Sequence, residues 1–189
     1  MSILKYSFEE YAEMVKQFHG SEAPGVLIGG FMVALAVENM KNNILYDAIS
    51  ETRTCLPDAI QLLTPCTIGN GWLKIFNYGR YAVTLYDKGH DLHEGVRVFI
   101  DTQKMKDWPE ISAWFFKLKP RKDQKKEKII DEIRRAGFSI LSIEQVRIQP
   151  EVALKQNKGA IAVCPECMEA YPLADGDKCL PCQNNILYR

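Results

Sequence analysis

The tightest constraint on this chain lies near its C-terminal end, where Cys164-Pro-Glu-Cys167 and Cys179-Leu-Pro-Cys182 stand 11 residues apart. A C-x-x-C turn puts two sulfurs on one side of a bend, and two such turns supply the four vertices of a closed tetrahedral site with Zn–S distances of about 2.3 Å. Asp175-Gly-Asp177 provides the turn that returns the second pair to the first. A segment of about 25 residues cannot bury a core of its own, so metal coordination must stand in for one. Residues 161–189 therefore read as a zinc finger in which Cys164, Cys167, Cys179 and Cys182 bind one structural Zn²⁺ as thiolates. Four thiolates leave no open position for water, which excludes a catalytic role for this metal. A Cys₄ set does not by itself separate zinc from iron, and the plain alternative is two unrelated thiol pairs. The surrounding charges are mixed (Glu166, Glu169, Asp175, Asp177, Lys178, Arg189), which disfavours a phosphate-binding finger.

The remaining 160 or so residues are enough for one principal domain with an ordinary hydrophobic core. Apolar residues make up 47% and charged residues 25%, and the formal net charge is zero. Nothing global points to nucleic acid or to an anionic membrane, so either partner would need a local patch. Met1 to Glu10 carries charge early and has no apolar stretch of signal-peptide kind, so a cytoplasmic location is expected. In that compartment clustered cysteines bind metal more often than they pair. The most apolar run, Val26 to Val37, is too short to span a bilayer, which takes about 20 residues, and reads as a buried helix.

Ser7 and Glu10 have capping-box spacing, and Phe8, Tyr11, Ala12, Val15 and Phe18 recur at helical intervals. This predicts an amphipathic helix over 8–18 that closes near Gly20. Pro24 suits the first turn of a second helix, apolar on nearly every side and hence central, running to about Met40. Its Gly25, Gly29 and Gly30 would admit another backbone closely. Asn42-Asn43 breaks the pattern, Ile44–Thr52 reads as a strand, and a short helix over Cys55–Leu63 follows. After the turn-rich loop Thr64–Gly71 come strand-like runs at Trp72–Phe76, Tyr81–Tyr86 and Gly95–Ile100, whose short polar links favour an antiparallel meander. A basic stretch leads into a helix carrying Ile129, Ile130, Ile133 and Ala136, ended by Gly137. Phe138–Ile148 alternates as a last strand, and Gln149–Lys158 reads as a polar linker. Helices followed by a run of strands predict an α+β fold, helices packed on an antiparallel sheet, with the finger appended. The expected division is a core domain over 1–150, a linker over 151–160 and the finger over 161–189.

The chemistry-bearing residues of the core sit at element ends. His19-Gly20 closes the first helix directly before Pro24-Gly25 opens the second. Cys55 and Asp58 flank the start of the short helix, where a helix dipole lowers a thiol's pKa. Cys66-Thr67 lies in the loop beyond. The plain alternative is that His19 caps a helix and the two thiols are small buried hydrophobes.

At these residues the sequence resembles the FmdE family of formylmethanofuran dehydrogenase proteins. The family's His-Gly-His-x-Cys-Pro-Gly corresponds to His19-Gly-Ser-Glu-Ala-Pro-Gly25. Its Asp-Ala-Ile-Gln-x-x-Thr-Gly-Cys-Thr-x-Gly-Lys-Gly corresponds to Asp58-Ala-Ile-Gln-Leu-Leu-Thr-Pro-Cys-Thr-Ile-Gly-Asn-Gly71, and Tyr78–Leu85 and Gly95–Val98 look like its next strands. The likeness covers roughly residues 12–150, and the finger resembles the DksA/TraR type that many members carry. It implies an α+β core, an intertwined homodimer and a cleft lined by the motif residues. Ser21 replaces the second His, Ala23 the first motif Cys, Pro65 a Gly and Asn70 the Lys. Ala23 cannot ligate a metal, so the expected pocket, lined by His19, Asp58, Cys66 and Thr67 with Cys55 nearby, takes a small polar ligand rather than a tightly bound transition metal. Glu22 is the remaining oxygen donor there.

Three functions follow as expectations. The first is a ligand- or metal-associated accessory protein, linked by resemblance to molybdenum or tungsten enzymes of one-carbon metabolism. The second is an enzyme using Cys66 or Cys55 as nucleophile and His19 as base. The third is a nucleic-acid-binding regulator using the finger and the basic run (Lys117, Lys119, Arg121, Lys122, Lys125, Lys126, Lys128), preceded by Trp108, Trp114, Phe115 and Phe116. Read plainly, that run is a solvated loop and first helical turn with its aromatics in the core. His90 and His93 lie in a turn between strands, where exposed histidines seldom bind metal.

Overall fold

The computed structural model describes residues 2–40, 45–89, 93–153 and 159–183. Asn42-Asn43, His90, residues 154–158 of the expected linker and Arg189 lie outside them. The chain divides into two compact units, Met1–Ala153 and Leu154–Arg189.

The first unit opens with a small hairpin, β1 (Ser2–Ile3) and β2 (Tyr6–Ser7), and then α1 (Phe8–His19). The capping box forms as the spacing requires: the Ser7 hydroxyl accepts from the Glu10 N–H, and the Glu10 carboxylate accepts from the Ser7 N–H at 2.8 Å. Gly20 ends the helix in the left-handed conformation, φ 82°. The next helix, α2 (Pro24–Asn39), is buried along nearly its whole length and packs against α1, two later helices and the sheet. Its glycines do admit close neighbours, but these are side chains. A Cβ on Gly29 would lie 2.7 Å from the Ala59 Cβ, and one on Gly30 would lie 2.3 Å from the Tyr11 ring.

Beyond it come β3 (Tyr46–Ser50), α3 (Leu56–Leu63), β4 (Leu73–Ile75), β5 (Ala82–Asp87) and β6 (Glu94–Ile100). Then follow α4 (Pro109–Phe115), α5 (Lys126–Ala136), β7 (Leu141–Arg147) and the single helical turn α6 (Pro150–Ala153). The five strands β3 to β7 form one sheet in the order β4-β3-β5-β6-β7. Strands β3, β5, β6 and β7 are antiparallel neighbours, with Ala48 opposite Leu85, Leu85 opposite Val96 and Val98 opposite Ile143.

One expectation is corrected. The first strand of the meander, β4, does not pair with β5 but lies parallel to β3, Ala48 beside Leu73. The reason is the intervening α3, which carries the chain across the sheet as a βαβ crossover and leaves β4 on the far edge. The linker reading also changes at its start. Residues 150–153 are helical, and the Lys74 ammonium donates to the carbonyls of Val152 and Ala153 at 2.5 and 3.0 Å.

The sheet face opposite α2 carries charge that is paired wherever it is buried. Glu51, 6% exposed, accepts from Arg97 Nε at 2.5 Å and pairs with Arg80 at 2.6 Å, and Arg97 also reaches Glu144 at 2.8 Å. Bidentate guanidinium contacts of this kind satisfy a carboxylate that burial would otherwise make costly. Among the described residues no helix is long and apolar enough to cross a membrane.

Candidate functional site

In the second unit the chain forms a short hairpin, β8 (Ile161–Val163) with β9 (Ala170–Pro172), and the first cysteine pair sits in its turn. The Cys164 N–H donates to the Glu169 carbonyl and the Met168 N–H to the Cys164 carbonyl, which closes the knuckle. Tyr171 is buried against Cys164 and Cys179, and its hydroxyl donates to the Gly176 carbonyl at 2.9 Å. That fixes the turn at Gly176, and Lys178 bridges back to Glu166 at 2.6 Å. The outcome is a single constellation: the sulfurs of Cys164, Cys167, Cys179 and Cys182 all lie within 4.8 Å of one another. Thiolates at tetrahedral vertices around zinc would be spaced by about 3.8 Å, so the cluster has the size of a zinc site. Backbone N–H groups, chiefly that of Cys167, draw the Cys164 thiol down to about 6, while the neighbouring thiols, Cys179 first, push Cys182 up, so that the crowded sulfurs hold protons a metal would displace. The apolar cluster here is a few side chains, too small to hold the unit without the metal.

In the first unit the ends of α1, α2 and α3 converge on a cleft of about 1210 Å³, towards the upper end of ordinary ligand sites and beyond. His19, the last residue of α1, meets Asp58 in the first turn of α3, Nδ1 to Oδ2 at 2.5 Å. The two groups are 27% and 31% exposed. Asp58 thus holds one ring nitrogen of His19, and His19 lines the cleft.

Cys55 lines the same cleft, beside Thr52, Thr54 and Gly25. It is the N-cap of α3 and has φ 58°, a conformation that is strained for a residue with a side chain. Its thiol packs where Gly25 has no Cβ; a Cβ there would come within 2.8 Å of the Cys55 Cβ and of the Tyr81 hydroxyl. Tyr81 donates to the Gly25 carbonyl at 2.6 Å, which ties β5 to the start of α2. The expected lowering of the Cys55 thiol by the α3 dipole does not hold. Burial first, and the Asp58 charge second, push it up.

Trp114 and Phe115 at the end of α4 also line the cleft, with Phe115 edge-on to Tyr81 at 6.3 Å. Glu132 of α5, buried, places this wall: its carboxylate accepts from the Glu110 and Ile111 N–H groups at the start of α4, both at 2.9 Å. Lys117, Lys119, Arg121 and Lys126, four exposed members of the basic run, line the cleft as well. Glu22 is there too, 3.7 Å from Lys126.

The structure divides the residues that the motifs grouped. Cys66 is fully buried in the main core, where its thiol donates to the Tyr46 carbonyl at 3.5 Å, and it does not line the cleft. Burial raises that thiol to about 11. Thr67 is engaged with Asn70, each backbone N–H bonded to the other's side chain at 3.1 Å. Asn70 also donates to the Pro65 carbonyl at 2.8 Å, so two of the four departures from the family motifs, Pro65 and Asn70, share one loop contact. The thiol that shares the cleft with His19 is Cys55. The sequence singles out Trp114 and Phe115 only as aromatics preceding the basic run, and Tyr81 not at all, since an aromatic residue in a strand or a short helix carries no mark that distinguishes a cleft wall from core.

The profile of the family described as FmdE, molybdenum formylmethanofuran dehydrogenase operon, matches residues 18–148. A second profile, the FmdE treble clef zinc finger, matches residues 155–189. A solved structure of a tungsten formylmethanofuran dehydrogenase FmdE-like protein from Syntrophus aciditrophicus is 56% identical, with a TM-score of 0.91 over 100% of this chain and 98% of that one. A probable S-adenosyl-L-methionine-binding protein of Archaeoglobus fulgidus is 29% identical over 88% of this chain. The chain spans 50% of the length of that relative.

Proposed function

Because the chain belongs to the FmdE family, with the family's treble clef zinc finger, we propose that it is an accessory protein of molybdenum or tungsten formylmethanofuran dehydrogenase systems that holds a small polar ligand in its core cleft. The observation that carries this reading is that His19, held at 2.5 Å by Asp58 behind it in α3, lines a cleft of about 1210 Å³ that Cys55 also lines. An oriented imidazole, a thiol and two threonines, set beside basic side chains and the rings of Trp114 and Phe115, are groups that can fix a polar ligand. One Zn²⁺ per chain, held by Cys164, Cys167, Cys179 and Cys182, belongs to the same reading. So do a cytoplasmic location and a homodimer, the latter supported by the family resemblance and by Leu45, Tyr78 and Leu118, large apolar side chains that are exposed in the single chain.

A second reading is enzymatic, and the placement of Cys55 favours it. A thiol and a carboxylate-oriented histidine in one cleft have the form of nucleophile and base. Cys66, buried and bonded to a carbonyl, is the lesser candidate for that role.

The test is calorimetric titration of the zinc-loaded protein with a panel of small polar metabolites. The panel includes S-adenosylmethionine, the ligand named for the Archaeoglobus relative. Saturable one-to-one binding that His19→Ala abolishes, with the zinc content unchanged, supports a ligand cleft. Binding that is indifferent to both His19→Ala and Cys55→Ser would rule the cleft out as its seat. Product formation that depends on Cys55 would promote the enzymatic reading.

A further inference from the structure

The chain carries equal numbers of acidic and basic residues, 24 of each, yet its charge is not balanced at the cleft. Lys117, Lys119, Arg121 and Lys126 line it against the carboxylate of Glu22. Lys126 lies 3.7 Å from Glu22 and Lys119 lies 3.5 Å from Glu110, while Lys117 and Arg121 have no carboxylate partner among the described residues. A concave site with one sign of charge on low-dielectric walls concentrates ligands of the other sign.

The backbone keeps Lys117 there against its own preference. The Leu118 N–H donates to the Ala113 carbonyl at 2.9 Å and the Lys117 N–H to the Trp114 carbonyl at 3.2 Å, the paired bonds of a helix-ending turn in which glycine normally takes the left-handed position. Here that position is Lys117, with φ 55°. Cys55, the other strained residue of the cleft, has φ 58°. Strain retained at a cleft rather than relieved by glycine points to a side chain that the cleft uses.

Two further features select the shape of the ligand. The first turn of α2 has no side-chain cap and opens on the cleft through Ala23, Pro24 and Gly25. Pro24 has no N–H and the Leu27 N–H bonds the Ala23 carbonyl, which leaves only Gly25 and Val26, both buried residues, to supply first-turn donors that favour an anion. Trp114 and Phe115, adjacent aromatic residues tilted against each other, also line the cleft.

We infer that the cleft takes a nucleotide-sized phosphate ester bearing a planar ring, with the phosphate at Lys117, Arg121 and the start of α2 and the ring against Trp114 and Phe115. This rests on the reading of the cleft as a ligand site and adds the chemical class of the ligand.

The probes are ADP, inorganic pyrophosphate and adenosine, titrated into the zinc-loaded full chain by calorimetry at low and high salt. ADP is expected to bind one-to-one, more weakly as salt rises, and at least tenfold more tightly than adenosine. Lys117→Gly is the decisive variant, because it removes the charge while relieving the backbone strain. It should melt at a higher temperature than the parent and bind ADP at least tenfold more weakly. Arg121→Gln should weaken binding similarly, and Lys128→Gln, in the basic run but off the cleft, should not. ADP affinity unchanged in Lys117→Gly, or equal for ADP and adenosine, overturns the inference. So does binding of a short single-stranded RNA that Lys117→Gly and Lys128→Gln weaken alike, which would make the run a nucleic-acid surface. If neither ADP nor pyrophosphate binds while an uncharged ligand binds through His19, the phosphate assignment fails and the cleft stands.

Discussion

His19 Nδ1 and Asp58 Oδ2 are 2.5 Å apart, and through them the last residue of α1 is joined to the first turn of α3. Partial exposure of both groups limits the worth of the contact through solvent screening. Asp58→Ala should therefore cost about 1 kcal/mol, the net value of one such hydrogen bond with a first-turn acid lost as well. Urea unfolding of Asp58→Ala, His19→Ala and the double variant would measure it as a coupling energy. A coupling near zero would show that the two side chains merely lie side by side.

The glycines of α2 give a sharper test of packing. Gly30→Ala places a methyl 2.3 Å from the Tyr11 ring, and that ring is pinned by its hydroxyl bond to the Val26 carbonyl at 2.9 Å. Gly29→Ala meets the Ala59 Cβ at 2.7 Å. Alanine gains up to about 1 kcal/mol over glycine in a helix interior, but overpacking costs about 1–3 kcal/mol, so both variants should be destabilised. A midpoint of urea unfolding at or above that of the parent would mean that α1 and α3 shift away freely.

What the sequence made legible was local. The period and cap of α1, the unbroken apolar run of α2 and the two C-x-x-C turns each follow from neighbours a few residues apart, and each formed within a residue or two of its expected bounds. The cleft depends on crossings. Cys66 follows Cys55 by one short helix, but the βαβ path through α3 sends it under the sheet edge to Tyr46 while Cys55 stays against Gly25. Spacing along the chain does not report which face of a crossover a loop residue reaches. That four residues of the exposed basic run border the cleft was hidden for a different reason: Lys117 occupies a left-handed position that propensity assigns to glycine.

Metal removal should separate the two units. Chelation, or Cys179→Ser, should release zinc and open residues 159–183 to protease, because their apolar cluster is a few side chains. The unit Met1–Ala153, with its own core around α2, should keep its unfolding transition. Elemental analysis and limited proteolysis would follow the first change and scanning calorimetry the second. Loss of the main transition on zinc removal would show that the finger supports the core.

Cys66 predicts the response to alkali. Burial raises its thiol from 9.0 to about 11, helped by nearby Asp47 and offset by Thr64 and Lys88, and the thiol donates to the Tyr46 carbonyl at 3.5 Å. The folded state therefore favours the protonated form more than the unfolded chain does. With the pKa raised on folding, the stabilisation is complete below about 9 and is lost as the pH climbs through about 11. Tyr46 and Tyr86 are also raised, chiefly by burial, and their titration contributes in the same direction. Comparison with Cys66→Ala subtracts those groups and leaves the thiol. The variant should be less stable than the parent by about 1 kcal/mol at pH 7, the scale of a small core truncation. Between pH 9 and 11 the gap should narrow, because only the parent has a buried thiol to ionise. Urea unfolding at half-unit pH steps would follow it. Parallel pH profiles for the two proteins would place the Cys66 thiol in an environment no less polar than water, against the burial seen here.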